Sequence, residues 1–166
     1  MPESTERLLV SPTTFPTRSD ESTERETGSA RNRWDLLRAV LAITYLLGGI
    51  AHLVLAVRSP GVYEGFADRA LVGAYTDAWR TVVVPNLPVL VPLVGLFEVG
   101  VAVALLWRKR VVTVGHAAGG CFQAGLILSG PWGPINAVLA LVHLAASRRP
   151  YPTSLPSVVG TWRGSA

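Results

Sequence analysis

The sequence predicts an all-α protein: a four-transmembrane-helix bundle with an interfacial amphipathic helix between the first and second spans. Three observations point there. Hydrophobic residues make up 49% of the 166-residue chain and charged residues only 16%, against a usual quarter. Four apolar runs follow one another between Leu36 and Ser147. Basic residues gather at alternate ends of those runs, which is what topology in a bilayer selects.

Residues 1–30 are rich in Ser, Thr, Glu, Arg and Pro and lack a hydrophobic face. They have no burial to offset the entropy of ordering, so they are expected to form a disordered cytoplasmic tail. No short apolar segment follows a basic start there, so this is not a signal peptide. Residues 31–150 are the expected four-helix membrane domain, and 151–166 the expected flexible C-terminal tail.

The first span is placed at 36–57, with Arg38 near one end and able to snorkel toward water. The second is placed at 82–107. Pro85, Pro88 and Pro92 lie in its first part, which predicts a kinked or late-starting helix. The third is placed at 111–129 and the fourth, short for a span, at 132–147.

Arg31 and Arg33 precede the first span, Arg108-Lys109-Arg110 form the second connection, and Arg148-Arg149 follow the fourth. The third connection, Gly130-Pro131, has no charge, and in the first connection Arg58, Arg69 and Arg80 are balanced by Glu64, Asp68 and Asp77. The expected location is therefore the cell membrane, multi-pass, with both termini cytoplasmic. Within the first connection, residues from Tyr63 to Trp79 repeat apolar side chains at three- and four-residue steps, predicting one helix that lies along the outer interface or caps the bundle.

The lipid bilayer is the first expected partner. Nucleic acid is excluded: the net charge is +4, yet its arginines mark span ends and form no basic groove with interleaved aromatics. The single cysteine, Cys121, leaves no intrachain disulfide and no CxxC for thiol exchange.

Glu98 is the most informative residue. It lies nine residues before Trp107, about 14 Å from the cytoplasmic end of its helix. A carboxylate at that depth must be protonated, paired or turned to a polar cavity. His116, about 9 Å from the same face, is its expected partner, with Tyr45 as a third member. Thr44 reaches a similar level. His52 is placed in the outer half and His143 near the inner end of the fourth span. Glu98, His116, Tyr45 and His52 are thus the candidate site residues. The three histidines sit on three helices without HxxxH or ExxH spacing, so no metal is expected, and no cofactor motif is evident.

Gly115 and Gly119 form a GxxxG that lets a helix approach closely, within the chain or across a homodimer. Gly48-Gly49 is a candidate complementary groove. Gln123 needs a partner and is expected to face the interior. Asn86 and Asn136 are read as helix-start caps.

Taken together, Gly48-Gly49-Ile50-Ala51-His52, Pro60 with the aromatic stretch after it, Phe97-Glu98-Val99-Gly100, the Arg-Lys-Arg turn and Pro134-Ile135-Asn136 resemble the DoxX-like family of small four-helix integral membrane proteins. The resemblance covers about residues 34–147. It implies a membrane subunit supporting quinone-linked redox chemistry, since some relatives belong to thiosulfate:quinone oxidoreductase and others to redox-stress complexes. A quinone and a membrane or redox partner subunit follow from it, and Glu98 and His52 are the residues that carry over. Two other functions fit the residues: a small proton-coupled transporter, or a structural assembly subunit without chemistry. Whether the chain is an enzyme stays open at this level.

Overall fold

The structure, a computed structural model, describes the backbone of residues 18–157 and side chains from Arg33 to Ser157. One compact unit begins at Trp34. Among the described residues the secondary structure is helical throughout: α1 (Arg18–Arg58), α2 (Gly61–Asp68), α3 (Gly73–Ala78), α4 (Leu87–Leu106), α5 (Arg110–Gly125) and α6 (Gly133–Ser147).

Two helical stretches are long and apolar enough to cross a membrane, Arg33–Arg58 with 26 residues and Gly73–Leu106 with 34. Helices α5 and α6 have 16 and 15 residues, or about 24 and 22 Å. The third span expected to reach 129 stops at Gly125, and Leu126 turns its N–H back to the Phe122 and Gln123 carbonyls.

Helix α1 begins at Arg18, so it takes in the second half of the stretch expected to be disordered; residues 1–17 lie outside the described residues. Once a helix is nucleated, each further residue adds one bond for one residue fixed, which lets the apolar stretch extend upstream. The late start expected at the prolines is present. A wide turn over Trp79–Val83 and a tight turn over Val84–Asn86 precede α4, and Pro92 alone lies inside it.

The first connection departs from expectation. It holds two helices, not one, with a break after Asp68. Val72 is extended and accepts from the Tyr75 and Thr76 N–H groups, while the Leu71 N–H bonds the Leu128 carbonyl before α6. At Gly130 the backbone has φ +103, and a Cβ there would collide with the Arg69 backbone. The loop is thus pinned to the α5–α6 connection. Helix α3 folds back on α2 through Trp79 Nε1, which donates to the Tyr63 carbonyl at 2.7 Å, and Thr76, which donates to the Ala67 carbonyl at 3.0 Å.

The C-terminal segment is a second correction. Tyr151 and Leu155 are buried, so residues 151–157 are folded onto the helices; 158–166 lie outside the described residues. The Tyr151 carbonyl accepts from Lys109 N–H at 2.6 Å, and its hydroxyl donates to the Ala146 carbonyl at 3.0 Å. Arg38 consequently does not snorkel. It is fully buried, paired with Asp35 at 3.2 Å, and its guanidinium stands 5.0 Å from the Tyr151 ring centroid. Burial pushes the Tyr151 hydroxyl up to about 12, with Arg38 pulling the other way, so it stays a donor at neutral pH.

Leu41, Tyr45, Val101, Leu105, Val112 and Tyr151 form the main apolar core. The glycines set the helix spacing. A Cβ on Gly49 would meet the Gly95 carbonyl of α4 at 2.9 Å, and one on Gly115 would meet Ala104 of α4 at 2.9 Å. Gly119 faces His143 of α6 and Tyr45 of α1. Gly115 and Gly119, read as a possible dimer contact, are therefore buried in contacts within one chain, and Gly48-Gly49 is complementary to α4 instead of α5.

Candidate functional site

The interior holds two polar groups side by side along α1. Arg38, Tyr45 and His52 follow one another at seven-residue intervals, which places them on one stripe of the helix.

The first group is Glu98, His52 and Tyr63. The Glu98 carboxyl lies where a side chain on Gly48 would be: a Cβ there would meet Oε1 at 3.0 Å. Glu98 is buried, and its Oε2 has no hydrogen-bond partner among the described residues. His52 Nε2 stands 3.7 Å from that oxygen, and His52 Nδ1 is 2.8 Å from the Tyr63 hydroxyl. Tyr63 donates to the His52 carbonyl as well, at 3.3 Å. A carboxyl, an imidazole and a phenol thus stand in line, the carboxyl oxygen that faces the imidazole lying beyond hydrogen-bond distance of it.

The second group is Tyr45, His116, His143 and Gln123. The two histidines face each other through Nδ1 atoms 3.0 Å apart, and His143 Nε2 is 3.2 Å from the Tyr45 hydroxyl. Gln123 Nε2 donates to that hydroxyl at 3.2 Å, so Gln123 has the interior partner it requires. Thr44 belongs to neither group; it is exposed and donates to the Val40 carbonyl.

The expected Glu98–His116 pair is not what forms. Depth does not fix direction, and counting along the helices set His52 in the outer half, apart from Glu98, although the two side chains stand 3.7 Å from each other. Ala104, which faces α5 at Gly115, is six residues from Glu98. At about 100° per residue the two point roughly 120° apart, so α4 turns Ala104 to α5 and Glu98 to α1. His52 is the partner instead. His143, Tyr63, Tyr151 and Arg38 escaped the candidate set. His143 was within reach: four residues from Ser147, it lies about 6 Å from the inner end, against about 9 Å for His116. Asn86 and Asn136 are not side-chain caps. Their amides donate back to the Val82 and Leu126 carbonyls at 2.7 and 3.1 Å.

Beside His52 and Tyr63 opens a cavity of about 400 Å³, walled by Phe66, Trp79, Phe122 and Trp132 and by aliphatic side chains, with Ser129 and Asn136 as further polar lining. Its size falls in the range of roughly 300–1,000 Å³ usual for small-molecule sites. Leu90, Val94 and Phe122 separate it from an outer apolar groove between α4 and α5 that holds Phe97 and the exposed Cys121. The arrangement can seat a flat apolar ring against an imidazole–phenol pair backed by a carboxyl. Compared with known protein families, curated proteins and solved structures, the chain matches none.

Proposed function

We propose that this chain is a DoxX-like integral membrane protein that crosses the bilayer four times with both termini cytoplasmic, and that it is a membrane subunit for quinone-linked redox chemistry. The polarity of the unit supports the bilayer reading. Leu36, Ile43, Leu47, Leu96, Val114 and Leu141 each exceed 50% exposure, whereas Arg38, Glu98, His116 and His143 are buried. Hydrocarbon is the solvent that makes this distribution favourable. Helices α5 and α6 are short for it, which calls for local thinning of the bilayer.

The observation that carries the functional reading is the aromatic-walled cavity lined by both His52 and Tyr63, with Glu98 behind His52. A quinone bound there would take up two electrons and two protons on becoming a quinol, the electrons coming from a partner redox subunit. The Tyr63 hydroxyl, on the cavity wall, would bond a ring oxygen and pass it a proton. His52 Nδ1, 2.8 Å away, would restore that proton, and Glu98, 3.7 Å from His52 Nε2, would replenish His52. The second proton would follow the same route once Glu98 is reprotonated. The outer groove across Phe122 offers a lipid-soluble molecule an access route from the bilayer.

The test is titration of the detergent-purified protein with a decyl-tailed benzoquinone. Trp79 and Trp132 line the cavity, so saturable quenching of their fluorescence is expected. Tyr63→Phe should weaken binding about tenfold, the worth of one hydrogen bond. Quinol turnover in the presence of the partner subunit should fall on Glu98→Gln. Linear, unsaturable quenching together with unchanged turnover would refute the reading.

A further inference from the structure

Helices α4 and α5 run antiparallel from the turn at 107–109, and their contact changes character along its length. Near that turn small residues face each other: a Cβ on Gly115 would meet the Ala104 Cβ at 2.9 Å. Seven residues outward on both helices, about 10 Å further along, the facing pair is Phe97 and Phe122, with ring centroids 5.3 Å apart. Small residues let the backbones close, and aromatic rings hold them apart. The helices therefore part toward the outer end, and a groove opens there. Its α4 wall includes Leu90, Leu93 and Phe97, and its α5 wall Ala118, Cys121 and Phe122. These recur at three- and four-residue steps, so the groove runs along the helix axes. Leu93, Phe97 and Cys121 are exposed, so in a bilayer the groove lies open to the acyl chains. No side chain lining it carries a charge or an oxygen. The cavity behind it differs: His52, Tyr63, Ser129 and Asn136 give it hydrogen-bonding groups. Leu90, Val94 and Phe122 are walls common to both.

We propose that the cavity and the groove are two halves of one site for a tailed quinone, the ring in the cavity and its long alkyl or isoprenoid tail lying in the α4–α5 groove. This rests on the quinone reading of the cavity and on the bilayer placement. A space of about 400 Å³ seats a substituted ring, and a long tail must leave it. The wall at Ser129, Trp132 and Asn136 belongs to the α5–α6 connection at the outer end of the bundle, where an apolar tail would meet water. The wall at Leu90, Val94 and Phe122 gives onto hydrocarbon, and rotation of these side chains opens the passage. Hydrophobicity does not hold the tail in the groove, because lipid is as apolar as the groove is. What the groove supplies is an exit: the ring reaches Tyr63 without drawing its tail into the cavity or parting two packed helices. A polar-lined chamber joined to a wholly apolar channel thus matches a molecule with a hydrogen-bonding head and a single apolar tail.

Two measurements test this. The full chain in phosphatidylethanolamine–phosphatidylglycerol nanodiscs is photolabelled with a benzoquinone whose decyl tail ends in a diazirine, and separately with a fatty acid methyl ester bearing the same group. The quinone ring is fully substituted, so the Cys121 thiol has no open ring carbon to attack. The quinone label should concentrate on residues 90–97 and 118–122, and excess unlabelled decyl benzoquinone should remove it. The ester should mark exposed positions of all the helices alike. The second measurement is the preference for the decyl benzoquinone over the tail-less ring, each titrated by quenching of Trp79 and Trp132 and expressed per mole of lipid. Cys121→Phe, which fills the groove, should lower that preference about tenfold, the lower part of the overpacking range. Val114→Phe, at an exposed position of the same helix outside the groove, should keep the parent's preference. Three results would each overturn the proposal: a quinone label spread like the ester's, a groove label that unlabelled quinone does not displace (lipid acyl chains then fill the groove), or the parent's preference in Cys121→Phe. Saturable quenching with a scattered label removes the tail path alone and leaves the ring in the cavity. Unsaturable quenching removes both.

Discussion

Gly49→Leu is expected to destabilise the chain strongly and to open the contact between α1 and α4. A Cβ at that position would already meet the Gly95 carbonyl at 2.9 Å and Val99 at 3.3 Å. The first obstacle is backbone, so no rotamer change relieves it. Helices α1 and α4 must separate, and they carry His52 and Glu98, so the polar pair opens along with the packing. Overpacking of this kind costs about 3 kcal/mol, the upper end of its usual range. A large drop in the thermal unfolding midpoint in detergent should appear together with loss of saturable quinone quenching. Gly100→Ala is the control. Nothing lies within 4 Å of its Cβ position, and alanine in a helix interior is favoured over glycine by roughly 0.5–1 kcal/mol. Equal effects at the two positions would contradict the close approach.

His143→Leu is expected to be nearly as severe, for a different reason. His143 is fully buried and bridges His116 to Tyr45. Leucine fills much of the space but leaves His116 Nδ1 without its partner and removes one from Tyr45. A buried polar group left unmatched costs about 1–3 kcal/mol. Tyr45 retains Gly119 and Gln123, so most of the loss belongs to His116. The double variant His116→Leu with His143→Leu should therefore recover part of the stability, because neither orphan remains. Unfolding midpoints in detergent decide it. A double variant as unstable as the sum of the two singles would mean that the histidines contribute by shape alone.

The all-helical character and the positions of the longest apolar stretches were legible in the sequence, because apolar run length and proline placement are local signals. The late start of α4 is an instance: Pro85 and Pro88 sit in the turn and at the first helical positions. What stayed hidden depends on contacts between distant segments. The break after Asp68 needs the Leu128 carbonyl and Gly130 to pin it, and no periodicity within 63–79 reports them. The burial of Arg38 needs Tyr151 and Thr153, more than a hundred residues away in sequence, with Thr153 accepting from the guanidinium at 3.4 Å. A tail of Ser, Thr and Pro gave no sign that its first residues would cover the helix ends. In the candidate site, depth counting brought Tyr45, His116 and Glu98 to similar levels, yet azimuth divided them between two groups. The seven-residue stripe Arg38–Tyr45–His52 on α1 was the available clue that polar residues share one inward face.

Every role given to Glu98 and the histidines depends on hydrocarbon surrounding these helices on all sides. The direct measurement is labelling of single cysteines, placed at the exposed positions Arg33, Asp77, Arg108 and Pro131 in a Cys121→Ala background, with a membrane-impermeant maleimide applied to intact cells. Four crossings with cytoplasmic termini require labelling at 77 and 131 without treatment, and at 33 and 108 only after permeabilisation. Uniform labelling at all four positions, or a chain recovered folded from the aqueous fraction without detergent, would contradict it.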